Sequence, residues 1–116
     1  MHAPRPISST LPEHLRCSAK ARDGELTLRP EGEWDIAGTA MLDAEHDRNA
    51  DGCRSLIVDL RGLRFIDCAG VHQLLHWSAD AARDFRLVPG PESVQRVFRL
   101  TGVTQALGLP ERSLPA

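Results

Sequence analysis

The chain has 116 residues, 41% apolar and 26% charged, which suits one domain with a real hydrophobic core. A formal net charge of −2 offers no basic field for nucleic acid or an anionic membrane. The apolar runs fall far short of the roughly 20 residues that a membrane-crossing helix needs.

No charged start followed by an apolar signal core is visible, so the expected location is the cytoplasm. The cysteines agree with that. Cys17, Cys53 and Cys68 are odd in number and lack CxxC spacing, a pattern of reduced thiols and not of a disulfide frame or a structural zinc site. No cofactor or metal is expected.

In chain order, residues 1–14, "MHAPRPISSTLPEH", carry three prolines and no period, and read as a flexible tail ahead of a domain over 15–116. Asp23-Gly24 is a hairpin turn signal between two alternating stretches, which predicts antiparallel strands near Leu15–Ala19 and Glu25–Arg29. A helix is expected over Ile36–Ala50, with Met41 and Leu42 inward and Asp43, Glu45, Asp47 and Arg48 solvated. Asn49, Asp51 and Gly52 end it. "SLIVDL", 55–60, suits a strand covered on both faces.

From Gly70 onward, Val71, Leu74, Leu75, Ser78 and Ala82 recur at helical intervals and predict an inward stripe. "FRLVP" gives a fourth strand ended by Pro89. A helix opens at Pro91 and Ser93, presents Val94, Val97, Phe98 and Thr101, and closes at Gly102. "TQALGL" predicts one more short helical turn. The alternation of strands and helices indicates an α/β domain whose helices pack on one mixed, four-stranded sheet.

Three segments, "GEWDIAG", "LIVDLRGLRFIDCAG" and "RVFRLTGV", occur in an order and spacing that resemble the STAS domain, the fold of bacterial anti-sigma factor antagonists. The resemblance spans roughly residues 15 to 110. It implies that Gly32-Glu33-Trp34-Asp35 precedes the first helix, and that Asp67-Cys68-Ala69-Gly70 opens the second where the family carries Asp-Ser-x-Gly. In that family a partner kinase, itself the anti-sigma factor, phosphorylates the serine and so releases the antagonist. Here Cys68 takes the serine position and Ala69 follows it, so the turn has no hydroxyl.

The implied docking face is Asp35, Asp67, Cys68, Ala69, Gly70 and His72, engaging a kinase-fold (serine kinase/ATPase) anti-sigma factor. Two alternatives keep the fold: a STAS subunit of a membrane lipid (ABC-type) transporter, docked on its ATPase, and a thiol redox-sensing module. None of these readings makes the protein an enzyme, inserts it in a membrane or gives it a nucleic-acid partner.

Each residue also has a plain reading. Cys68 at a helix start suits a small turn filler, while the positive helix terminus favours a thiolate and Asp67 opposes one. No base with an orienting third group is legible beside it, which argues against nucleophilic catalysis. His72, His76 and Asp80 recur every four residues; a solvated face that offers partner contacts explains them more simply than a metal site does. Asp35 suits a helix N-cap, Asp59 a loop anchor or part of the polar end, and Trp34 and Trp77 sheet or edge packing.

Overall fold

The computed structural model describes residues 14–109. Strand β1 (Leu15–Arg22) turns at Asp23-Gly24 into β2 (Glu25–Trp34), and both turn residues have positive φ (52° and 81°), which matches the twist of a tight hairpin. Helix α1 (Ile36–Asn49) leads to β3 (Ser55–Asp59) and then β4 (Leu63–Ile66). Helix α2 (Cys68–Ser78), β5 (Asp84–Val88) and α3 (Glu92–Thr101) complete the order.

The sheet runs β1-β2-β3-β5. β1 is antiparallel to β2, and the β2–β3 and β3–β5 pairs are parallel. β2 is long enough to pair twice on one edge, with β3 through Glu25–Leu28 and with β4 through Gly32–Trp34. Among the described residues the sheet therefore has five strands, not four. β4 has only four residues, and its burial runs buried, exposed, exposed, buried, so it lacks the period-2 alternation that reveals a strand.

Burial follows the pleat along β2, where Leu26, Leu28, Pro30, Gly32 and Trp34 face inward. Leu42 of α1, Val71, Leu74 and Trp77 of α2, and Val94 and Phe98 of α3 complete the core. Met41 packs against it half-buried. Ile57 of β3 is also only half-buried, so the strand expected to be covered on both faces is fully covered on one.

Helix α2 begins at Cys68, not Gly70, and ends at Ser78 with Ala79 as C-cap. Ala82 therefore lies beyond the helix and is exposed, its N–H bonded to Asp80 Oδ1 at 2.9 Å. The inward stripe stops one turn earlier than its spacing suggests. Gly102 ends α3 in the left-handed region at φ 75°. Residues 103–109 form hydrogen-bonded turns that bury Leu107 and Leu109. The expected tail, apart from His14, lies outside the described residues.

Candidate functional site

The parallel register of β2 and β4 sets Trp34 beside Ile66, both almost fully buried. Each is followed by an aspartate, so Asp35 and Asp67 emerge together at the same end of the sheet. The Asp67 N–H donates to the Trp34 carbonyl at 3.1 Å and locks the two crossings together. Both aspartates are extended (ψ near −172°) and cap the helix that follows. Asp35 Oδ1 accepts the Gly38 N–H at 3.2 Å. Asp67 Oδ1 accepts both the Ala69 and Gly70 N–H groups, at 2.9 and 3.2 Å.

The two helix starts share a four-residue phrase, Asp35-Ile36-Ala37-Gly38 and Asp67-Cys68-Ala69-Gly70. In each the glycine faces inward where a side chain does not fit. A Cβ at Gly38 would meet Leu15 Cδ2 at 2.3 Å. At Gly70 it would meet Ile66 Cγ1 at 2.6 Å and Trp34 Cδ1 at 3.1 Å. The first residue of each helix points outward: Cys68 is exposed, and Ile36, its counterpart, is 74% exposed. The repeat Asp-x-Ala-Gly in the sequence is the signal that identifies Ile36 as that counterpart.

His72, one turn after Cys68, is exposed on the same helix, and Ala69 is half-buried. The structure thus gathers Asp35, Asp67, Cys68, Ala69, Gly70 and His72 at two adjoining helix starts, with Gly70 contributing packing and no surface. Gln73 fixes α2 to α1 by donating to the Thr39 carbonyl and to Asp43 Oδ1, each at 3.3 Å. His14, assigned from sequence to the tail, also reaches this end, with its Nε2 2.9 Å from Asp35 Oδ2.

Away from this end, Trp34 and Trp77 are core residues with ring centroids 5.9 Å apart, and Trp77 stacks on His46 at 5.1 Å. Asp80 lies outside α2 and pairs with Arg83 at 3.1 Å, so the His72, His76, Asp80 series does not continue along one helix. Among the described residues no group of three or more His, Cys, Asp or Glu side chains is arranged to hold a metal. None of the described helices is long and apolar enough to cross a membrane.

Asp59 anchors its own loop, accepting the Arg61 N–H at 3.1 Å and two guanidinium bonds at 3.0 and 2.8 Å. The Arg61 side chain bonded to it holds the Asp59 carboxyl below the usual carboxylate range, against the opposing pull of burial. The thiols differ in setting. Burial, and after it the Glu45 carboxylate, pushes Cys17 up to about 11, whereas Cys68 stands exposed at its helix start.

Comparison with known proteins bears on the fold. No curated protein sequence matches. Among solved structures, an anti-sigma factor antagonist from Mycobacterium paratuberculosis superposes with a TM-score of 0.72 at 22% identity, covering 88% of this chain and 90% of that one. The anti-sigma factor antagonist SpoIIAA in its unphosphorylated form superposes with a TM-score of 0.60 at 21% identity, covering 78% and 84%. These likenesses show the fold. Residues 17–111 match the family model described as "Mlab, STAS domain", and the chain therefore belongs to the STAS domain family.

Proposed function

We propose that this protein is an anti-sigma factor antagonist, a cytoplasmic binding module and not an enzyme. It docks a kinase-fold anti-sigma factor through the Asp35 loop and the Asp67–Gly70 helix start, with His72 at the margin. The observation that carries this reading is the outward-facing Cys68 at the first position of α2, capped by Asp67, where the family pattern has serine.

A helix start, at the positive end of the helix dipole, tolerates an added anion structurally. A phosphate there would still place roughly −1.5 to −2 charge on the docking surface. Cys68 is about the size of a serine and offers no hydroxyl to phosphorylate, so the protein behaves as an antagonist that the partner's kinase activity does not switch off at this position.

Calorimetry against the anti-sigma factor, with Cys68→Asp and Cys68→Ser, tests the reading. A charge facing a partner surface not prepared for it commonly costs a few kcal/mol. Cys68→Asp is expected to weaken binding markedly, while Cys68→Ser binds well and regains phosphorylation. Unchanged affinity for folded Cys68→Asp removes the assignment.

A second reading, a STAS subunit seated on the ATPase of a membrane lipid transporter, uses the same face. The family description, which names Mlab and no sigma-factor protein, favours it. Binding to such an ATPase, with none to an anti-sigma factor, decides between the two.

A further inference from the structure

We propose that His14 is a positioning residue of the docking face, holding the Asp35 carboxylate in the orientation that the partner meets. This rests on the docking reading above. The backbone brings His14 into place first. Its carbonyl accepts the Glu33 N–H at 2.9 Å, continuing the β1–β2 ladder one step past Leu15.

That approach depends on Gly32, which has a φ of 108°, and whose Cβ, if present, would lie 2.0 Å from the His14 carbonyl oxygen. The glycine of the Gly-Glu-x-Asp segment therefore has a local task, to admit the His14 backbone. With His14 pinned there and Leu15 buried behind it, the imidazole reaches Asp35 Oδ2 at 2.9 Å.

Asp35 is thus held at both oxygens, Oδ1 by the Gly38 N–H and Oδ2 by His14. Asp67 makes both of its bonds through Oδ1, and its Oδ2 has no hydrogen bond among the described residues. The His14 and Asp35 side chains are 37% and 31% exposed, and pairs this open to water contribute little to fold stability. Their consequence is orientation. The imidazole removes rotational freedom from a carboxylate that a partner would otherwise have to order on binding.

His14→Ala and His14→Gln, measured by calorimetry against the anti-sigma factor alongside Cys68→Asp, test this. Thermal melting provides a readout on the free protein. His14→Ala is expected to weaken binding by about three- to tenfold, the range for ordering one side chain, with an unchanged Tm. His14→Gln is expected to restore affinity, because its amide N–H can donate to the same oxygen. Wild-type affinity for His14→Ala, or no rescue by His14→Gln, overturns the proposal; if Cys68→Asp still weakens binding, the docking reading survives. If neither His14→Ala nor Cys68→Asp changes affinity, or no anti-sigma factor binds, both fall.

Discussion

The starts of α1 and α2 use one construction, in which a buried strand residue is followed by a capping aspartate, an outward residue, an alanine and a glycine packed on the core. They differ in their surroundings. At α2, Gly70 lies against Ile66 and the Trp34 ring, and one Asp67 oxygen takes two amides. At α1, Gly38 lies against the Leu15 side chain, whose Cδ2 is the nearest atom, and Asp35 divides its oxygens between Gly38 and His14. The α2 start is fixed by its own helix and the core. The α1 start is fixed partly by a residue that precedes the sheet. A repeated local phrase thus sets the shape of a helix start, while its rigidity comes from neighbours supplied elsewhere in the chain.

The glycines provide the largest test of this difference. Gly70→Ala is expected to cost about 1–3 kcal/mol, because a Cβ 2.6 Å from Ile66 Cγ1 forces movement in a filled core. Gly38→Ala is expected to cost less, since the atom in its way is a terminal methyl that can rotate aside. Urea unfolding of both variants measures this, and equal losses would mean that the two starts are equally tight.

The caps come next. Asp67→Ala frees two N–H groups, whereas Asp35→Ala leaves the Gly38 N–H its bond to the Asp35 backbone carbonyl at 2.9 Å. Losses of roughly 1–2 and 0.5–1 kcal/mol are expected, in that order. A larger loss at Asp35 would place the rigid start at α1.

Acid titration separates both starts from the β3 loop. Arg61 lowers the Asp59 carboxyl in the folded state, so this pair stabilises the protein above the ordinary aspartate range, about 3.9. The contribution is lost as pH falls below that range and through the folded value. Arg61→Ala is expected to flatten the acid limb of the stability curve, with little change in how the Asp35 and Asp67 variants rank at neutral pH. An acid limb that Arg61→Ala leaves unaltered removes this assignment.

The smallest effect is a labelling order. Cys68, exposed at its helix start, is expected to react with iodoacetamide at neutral pH ahead of Cys17, whose thiol is pushed up to about 11. Peptide mass mapping at early times reads the order, and equal rates would mean that the helix start gives its first residue no special access.

The amino-acid sequence by itself determined the features that rest on neighbours along the chain. Asp23-Gly24 specifies the hairpin because both positions need positive φ, the alternation of β2 chooses its buried face, and Gly102 stops α3 in the left-handed region. The Asp67-Cys68-Ala69-Gly70 segment was identified through its resemblance to Asp-Ser-x-Gly, and the structure adds the Asp67 cap, whose amides lie within three residues.

Tertiary structure alone decided the rest. β4 is too short and too irregular in burial to declare itself, and it exists as a strand because the far end of β2 supplies its ladder. The tertiary fold likewise ended α2 before Asp80 and Ala82, where a turn capped by Asp80 replaces the helix and the apolar spacing no longer meets a core. His14 belongs to the candidate site only because β1 and β2 pair in a register that carries it past Gly32 to Asp35, 21 residues away in sequence. No local pattern records a contact of that range.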